Sequence, residues 1–384
     1  MTAKTVLISG AGVAGPTLAY WLARAGFRPT VVERAGGLRS SGSPVDVRGP
    51  AAEVARKMGL LSRLREAATD VTGLKFVNDR GKRVGRVTLD NAGGEDVELS
   101  RTELARILYE ASQDEAEFVF HDSVTALEQD DGGVDVTFEK GAPRRFDLVV
   151  GADGLHSAVR KLAFGAETTF VEHMGVYVAT LPLDGPVADP HNVVMYNSPG
   201  RAVAVHPGRG HDHGRGIAAF MYRGAAVPGF DHRDTAQHRR MLASAYAGAG
   251  WRVPELLEQV RHADDLYLDS VSRVRMPAWS AGRIVLAGDA ASCVSLFGDG
   301  STLAMTGAHT LATALTESPG DHVAAFRRYE TTHRKLTAPK QRNVPVAAAL
   351  LIPATRAGMT VRNLGTRLAP LVTAVQRMTT ARSA

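Results

Sequence analysis

The chain has 384 residues, 44% of them hydrophobic and 22% charged, and a formal net charge of +5. That length allows two domains with substantial cores, and the single cysteine, Cys293, excludes an intramolecular disulfide and a thiolate metal cluster within one chain. No stretch is long and apolar enough to suggest a membrane span, and glycines interrupt the apolar N-terminus, unlike a signal peptide. We therefore expect a cytoplasmic protein without membrane contact.

Positive charge is concentrated towards the C-terminal end. Residues 334–384 include nine Lys or Arg residues and no Asp or Glu. The segment lacks the interleaved aromatic side chains on which nucleic-acid bases stack. We therefore expect a solvated or docked helix face there, and no nucleic-acid partner.

The N-terminal segment predicts a βαβ unit. Residues 4–9 form an apolar β-rich run, residues 13–25 carry apolar side chains at helical spacing, and residues 29–32 form a second strand that ends in Glu33. The glycine-rich turn lets a pyrophosphate approach helix N–H groups, and a terminal acid can accept hydrogen bonds from ribose hydroxyls. This pattern predicts a dinucleotide site and does not separate FAD from NAD. The residues predicted to contact the dinucleotide are Gly10, Gly12, Val13, Ala14, Gly15, Glu33 and Arg34.

The rest of the chain alternates helical and strand patterns. Helices are predicted at residues 51–64, 102–112, 236–246, 253–260, 301–316 and 359–378. Strands are predicted at residues 73–89 with a turn at 79–81, and at 117–120, 124–129, 134–138, 146–150, 175–182, 192–196, 202–207, 216–222, 271–274 and 283–287. Ser100 is a candidate N-cap, and Pro345 and Pro353 are expected to break helical structure.

Three short motifs follow one another along the chain: GAGVAG at residues 10–15, GADGLHSAVR at 151–160 and GDAA at 288–291. In this order and at these separations they resemble the fingerprints of the flavin-dependent aromatic hydroxylases, the single-component FAD monooxygenases. Within that family the sequence looks most like the tetracycline-inactivating and antibiotic-tailoring flavin monooxygenases. The resemblance is strong for the FAD-binding part and weak for the β-rich part.

The resemblance implies further cofactor contacts. They are Arg39, Asp46, Arg101, Asp153, Asp289, Gly300, Ser301 and Thr302. Asp289 is expected to bind the ribityl chain, and the helix that starts near Gly300 is expected to direct its positive dipole end at the flavin pyrimidine ring. The sequence departs from the family pattern at Ser292, Ser295 and Asp299, and the Asp299 carboxylate would compete with anionic reduced flavin for that dipole. No catalytic side chain is assigned, because the flavin carries the chemistry.

The expected fold is α/β, with a Rossmann-like FAD-binding domain in three pieces and an inserted antiparallel β-sheet substrate domain followed by a C-terminal helix. The ranges are residues 1–71, 101–168 and 276–340 for the FAD-binding domain, 72–100 and 169–275 for the substrate domain, and 341–384 for a C-terminal helical appendage.

Aromatic and amphipathic side chains on the predicted sheet are candidates for the substrate pocket: Tyr196, His206, Phe220 and Tyr222. Phe220 and Tyr222 share one face because side chains alternate along a strand. Packing in the core is the alternative, and it is the commoner fate of aromatic residues on a half-buried sheet. A metal site built from His206, His211 and His213 is disfavoured because no fourth ligand has suitable spacing, so no metal is expected.

The resemblance implies an oxygenation reaction. NADPH or NADH would reduce FAD, O₂ would add at flavin C4a to give a hydroperoxide, and this species would hydroxylate an aromatic or polyketide-like small molecule. The alternatives are a flavin-binding cyclase or reductase without net oxygenation, a dehydrogenase without flavin, and a non-enzymatic ligand-binding protein. The protein is expected to be a monomer or a homodimer.

Overall fold

The computed structural model describes residues 3–38, 44–88, 95–208, 215–293 and 299–365. The chain divides into two compact units. The first unit comprises Met1–Ala68, Glu95–Met174 and Ser272–Val344, and the second comprises Thr69–Gly94, Gly175–Val271 and Pro345–Ala384. The assignment of FAD binding and substrate binding to separate domains stays a prediction.

The strands, in chain order, are β1 (Thr5–Ser9), β2 (Arg28–Glu33), β3 (Val45–Val47), β4 (Gly73–Val77), β5 (Arg83–Thr88), β6 (Val97–Leu99), β7 (Glu117–Phe120), β8 (Val124–Gln129), β9 (Val134–Phe138), β10 (Arg144–Phe146), β11 (Leu148–Gly151), β12 (Val171–Pro186), β13 (Asn192–Ser198), β14 (Arg201–His206), β15 (Arg215–Arg223), β16 (Tyr267–Val274), β17 (Ser280–Ala281) and β18 (Ile284–Leu286). The helices are α1 (Ala14–Arg24), α2 (Pro50–Lys57), α3 (Leu61–Glu66), α4 (Arg101–Glu110), α5 (Ala158–Phe164), α6 (Thr235–Ala245), α7 (Val253–His262), α8 (Asp289–Ser292), α9 (Asp299–Glu317), α10 (His322–Leu351) and α11 (Arg356–Gly365).

The first unit is built on a sheet with the strand order β17-β18-β11-β1-β2-β7. Every neighbouring pair is parallel except β17 and β18. Ser9 at the end of β1 pairs with Gly151 at the end of β11, and Gly151 pairs with Leu286 at the end of β18. The turns that carry the three motifs therefore start at the same edge of the sheet, which is where open α/β sheets bind ligands.

The central strands of this sheet are apolar on both faces. Val6, Leu7 and Ile8 are fully buried, as parallel strands covered by helices must be. The strand predicted at residues 146–150 is in fact two, β10 and β11. The chain changes sheets at Asp147, whose carboxylate accepts hydrogen bonds from the backbone N–H of Thr5 at 2.7 Å and from its hydroxyl at 2.9 Å.

The second unit contains most of a sheet with the strand order β16-β12-β15-β14-β13-β4-β5. The pairs β12–β15, β15–β14, β14–β13 and β4–β5 are antiparallel, as predicted, whereas β13 and β4 are parallel. Helices α6 and α7 cover one face, where Leu242, Tyr246 and Leu256 pack on the sheet.

Two helix predictions were wrong in detail. Residues 51–64 form α2 and α3 instead of one helix, because Gly59 adopts a left-handed φ of +73° and ends the first of them. Helix α10 continues through Pro345 and ends at Leu351, before Pro353. Helix α11 covers part of the predicted helix at 359–378, and residues 366–384 lie outside the described ranges.

One bent pair of helices has the length and composition of a membrane span. Among the described residues no single helix has the length and apolar character required to cross a bilayer, and α10 and α11 meet the criterion only when taken together.

Candidate functional site

The glycine-rich turn after β1 requires glycine at two positions. Gly10 has a φ of +108°, and a Cβ on it would lie 2.5 Å from the carbonyl oxygen of Ala152. A Cβ on Gly15, in the first turn of α1, would lie 1.9 Å from the carbonyl oxygen of Gly10. For Gly12, in contrast, no heavy atom of the described residues beyond its own chain neighbours lies within 4 Å of where a Cβ would be. The turn is thus tightly packed on its inner side and open at Gly12, as a pyrophosphate cradle must be.

The start of α1 presents backbone N–H groups without a side-chain cap. Val13 is the N-cap residue and Ala14 the first helical residue, and no side chain in the described part of the chain accepts a capping hydrogen bond here. The first turn of a helix has unpaired N–H groups and a positive dipole end, so it suits an anion. Val13 and Ala14, which are predicted to contact the cofactor, therefore lie at a helix terminus that is able to bind phosphate.

Glu33 lies at the end of β2 and faces the glycine turn. One carboxylate oxygen accepts a hydrogen bond from Ala11 N–H at 2.9 Å, and the other accepts one from Ala35 N–H at 2.9 Å. The side chain is held in place beside the turn, where an acid can accept hydrogen bonds from a ribose. Arg34 follows Glu33 directly in the chain.

The second motif forms a turn that is fixed by its own side chains. The Asp153 carboxylate accepts hydrogen bonds from the Ser157 hydroxyl and from Val159 N–H, and the Ser157 hydroxyl accepts one from Arg160 N–H at 2.9 Å. Burial raises the pKa of Asp153, and the hydrogen bonds that its carboxylate accepts from Ser157 and Val159 oppose the rise. The carboxylate of Asp153 thus stabilises the turn, and its predicted contact with the cofactor stays a prediction.

Arg160 joins the second motif to the third. Its side chain is fully buried, and its guanidinium donates to the carbonyl oxygens of Ala290, at 3.0 Å, and Leu155. Glu167 lies 3.4 Å away as an ion-pair partner. We did not predict this role, although the position of Arg160 at the end of the second motif was a signal for it.

The third motif packs against both helices that border the site. Gly288 has a φ of +58°, and a Cβ on it would lie 3.1 Å from Ala14 Cβ in α1 and 3.9 Å from Ala304 Cβ in α9. Asp289 follows as the first residue of α8. Burial raises the pKa of its carboxyl, and the positive charge of Arg101 at the start of α4 opposes the rise. Asp289 and Arg101 therefore lie close enough to interact electrostatically, and their predicted contacts with the cofactor stay predictions.

The start of α9 is anchored on β3. The hydroxyls of Ser301 and Thr302 both donate to the carbonyl oxygen of Asp46, at 2.6 and 3.0 Å. Thr302 also accepts a hydrogen bond from Arg48 N–H at 3.2 Å. These side chains fix the helix start, and the predicted cofactor contacts of Gly300, Ser301 and Thr302 stay predictions.

Acidic side chains surround this anchor. Asp46 is 8% exposed, and burial raises the pKa of its carboxyl to about 6. Arg48, which pairs with it at 2.8 Å, opposes the rise, whereas Glu98, Asp299 and Asp96 add to it. Asp299, the first residue of α9, forms an ion pair with Lys340 of α10 at 2.8 Å. Lys340 was not predicted, because ion pairs between distant segments leave no local pattern in the sequence.

Of the predicted cofactor contacts, all but one lie in the described part of the first unit. Arg39 lies outside the described residues, as do Ser295, His211 and His213. Among the residues that the structure describes, no group of three or more His, Cys, Asp or Glu side chains could hold a metal ion.

Three of the four predicted pocket residues lie in the core of the second unit. Tyr196, Phe220 and Tyr222 are 3%, 0% and 8% exposed and belong to the cluster formed with α6 and α7. Tyr222 stacks on Tyr177, with ring centroids 5.3 Å apart. This placement favours the core alternative for these three, because the face on which they lie is covered by the two helices.

His206 lies on the other face of the same sheet. It follows Ala204 by two residues on β14, so both point away from α6 and α7. Its Nδ1 is shielded from solvent and has no hydrogen-bond partner among the described residues, and burial lowers the pKa of the ring to about 4. The predicted set of four is therefore divided between two faces.

Comparison with known proteins identifies the family. The sequence model of the FAD binding domain family matches residues 3–321. A flavin-dependent monooxygenase from an unknown prokaryotic organism is 33% identical over 352 residues, which cover 90% of each chain. The chain belongs to the FAD-dependent monooxygenase family. An uncharacterized protein of Mycobacterium tuberculosis is 40% identical over 332 residues, 85% of this chain and 88% of that protein.

The solved structure of the tetracycline destructase Tet(51) has a TM-score of 0.83 to this FAD-dependent monooxygenase, with 30% identity over 95% of each chain. The predictions of the family, the α/β fold, the FAD cofactor and the oxygenase class are confirmed. Oxygenation is thereby supported over the cyclase, reductase, dehydrogenase and binding-protein alternatives.

Proposed function

We propose that this monooxygenase hydroxylates an aromatic or polyketide-like small molecule, with electrons from NAD(P)H and oxygen from O₂. The observation that supports it best is the meeting of the three motifs at one sheet edge, with Gly288 between Ala14 and Ala304. Two solved structures named as tetracycline destructases, each 30% identical to this chain, support the substrate class.

The residues present fit FAD. The open side of Gly12 and the uncapped start of α1 would hold the pyrophosphate, Glu33 the adenosine ribose, and Asp289 with Arg101 the ribityl chain. The bound cofactor supplies the electron transfer and oxygen activation that no amino-acid side chain provides. The protein contributes the positive end of the α9 dipole, which favours negative charge near Ser301.

The substrate would contact the face of the β12–β15 sheet that carries His206. Thr180 lies on this face, since it pairs with Ala219, which in turn pairs with Ala204. Its buried hydroxyl, like His206 Nδ1, has no hydrogen-bond partner among the described residues. Buried polar groups without partners cost about 1–3 kcal/mol each, and a phenolic or enolic substrate could satisfy both.

The test is incorporation of labelled oxygen. The FAD-loaded protein is mixed with NADPH, ¹⁸O₂ and a probe, either tetracycline or a simple phenol, and the products are analysed by mass spectrometry. One ¹⁸O atom in the organic product, with NADPH consumed in equal amount, is the expected result. NADPH oxidation that yields only hydrogen peroxide with both the phenol and the tetracycline probe would contradict the proposal.

A further inference from the structure

The start of α9 carries a charge that ought to oppose flavin reduction. Hydride transfer from NAD(P)H brings two electrons and one proton, so the flavin gains one net negative charge. The positive end of a helix dipole stabilises that charge, but the first residue of α9 is Asp299, a carboxylate. Its negative charge acts on neighbouring groups, since it contributes to the raised pKa of Asp46.

A lysine from another helix offsets this carboxylate. Lys340 of α10 places its Nζ 2.8 Å from an Asp299 carboxylate oxygen. The Asp299 side chain is 28% exposed and that of Lys340 is 46% exposed, so solvent screens the pair only in part. Two other acids around this anchor have separate partners: Asp46 pairs with Arg48, and Asp96 accepts a hydrogen bond from Gly49 N–H.

We propose that Lys340 is a positioning residue that neutralises Asp299 and thereby makes flavin bound at the start of α9 easier to reduce. The inference rests on the proposed placement of the flavin at this helix end. The alternative is a purely structural role for Asp299, because acidic residues in the first turn of a helix stabilise the helix itself. The two accounts differ, because only the first makes Lys340 and Asp299 control the reduction potential of the flavin.

The test is a double-mutant cycle on that potential. Bound FAD is equilibrated with a redox dye, and the ratio of reduced to oxidised flavin is read from the visible spectrum for the wild type, Lys340→Met, Asp299→Asn and the double variant. Lys340→Met is expected to lower the ratio about two- to fivefold, the effect of one charge at a helix end. Asp299→Asn should raise it, and in that background Lys340→Met should change it less than in the wild type, because without its ion pair Lys340 is no longer held at the helix start.

Two control variants separate this effect from general charge and folding effects. Lys335→Met removes an exposed lysine from the same helix and should leave the ratio unchanged. Lys340→Arg retains the positive charge and should restore the wild-type ratio, including where Lys340→Met folds poorly.

A ratio that is unchanged in Lys340→Met, or that falls equally with and without the Asp299 carboxylate, would overturn the inference. If the wild type still incorporates ¹⁸O, the proposed function stands while the inference fails. If no FAD binds at all, the proposed function fails as well, so the two failures are distinguishable.

Discussion

Gly15 lies so close to Gly10 that a Cβ on Gly15 would be 1.9 Å from the Gly10 carbonyl oxygen. This contact closes the turn between β1 and α1 and sets the direction of the helix start. Gly12 lies between them, and a Cβ on it would have no described residue other than its chain neighbours within 4 Å. Two glycines of one motif thus have different purposes, one for packing and one for ligand approach.

Alanine substitutions separate those purposes. Gly15→Ala should destabilise the protein by about 1–3 kcal/mol, because the new methyl group must displace backbone. Gly12→Ala should leave the melting temperature of the FAD-free protein almost unchanged and weaken FAD binding at least about tenfold, because the methyl group occupies the phosphate approach. Thermal unfolding and FAD titration measure the two effects. A Gly12→Ala variant with unchanged FAD affinity would show that the pyrophosphate does not bind at this turn.

Asp46 should make stability depend on pH. Its pKa of about 6 exceeds its ordinary value of 3.8, so its stabilising effect is complete below about pH 4 and is lost as the pH rises through 6. Relative to Asp46→Asn, the wild type should lose about 2–3 kcal/mol of unfolding free energy over that window. Urea unfolding from pH 4 to 7 measures this. The exposed Asp131→Asn serves as control, and parallel curves for Asp46→Asn and the wild type would refute the expectation.

Arg160 should matter far more than a surface arginine. Arg160→Met leaves the carbonyl oxygens of Ala290 and Leu155 without their donor in the interior, and we expect a loss of about 2–4 kcal/mol. Arg328, whose pair with Glu317 is mostly exposed, is the matched control, and Arg328→Met should cost less than about 1 kcal/mol. Denaturant unfolding compares them; equal losses would mean that Arg160 does not join the motifs.

Two tyrosines test the placement of aromatic residues in the core of the second unit. The hydroxyl of Tyr246 donates to the backbone oxygens of Ala202 and Met221, each at 2.8 Å, so Tyr246→Phe should destabilise by about 1–2 kcal/mol. The buried Tyr222 hydroxyl has no partner among the described residues, so Tyr222→Phe should be neutral or slightly stabilising. If the Tyr222→Phe variant had normal stability but no longer hydroxylated the probe, Tyr222 would be assigned to the substrate pocket after all.

The sequence predicted the parts of the fold that depend on local patterns. The βαβ unit at the N-terminus, the hairpin around Gly81 and the N-cap at Ser100, which accepts from Glu103 N–H at 3.1 Å, are examples. The helix break at Gly59 and the change of sheet at Asp147 were not predicted. A glycine inside a helical pattern, or a polar residue inside an apolar strand pattern, is compatible with either a continuous or an interrupted element.

The candidate site was predicted as far as its motifs extend. The motifs predicted the glycines and Asp289 as site residues. The ion pair of Lys340 with Asp299 was not predicted, because it depends on tertiary contact. The substrate face was harder still. The alternation of side chains along a strand predicts that Phe220 and Tyr222 share one face of the sheet. It does not predict which face α6 and α7 cover.

FAD titration of the purified protein, followed by flavin absorbance, tests the central claim most directly. The account predicts one FAD bound per chain, bleaching on anaerobic addition of NADPH or NADH, and an affinity at least about tenfold weaker in Asp289→Ala, since hydrogen bonds to a carboxylate are worth about 1.5–3 kcal/mol. Absence of bound flavin, or an Asp289→Ala variant with wild-type affinity, would contradict a cofactor site built by the three motifs.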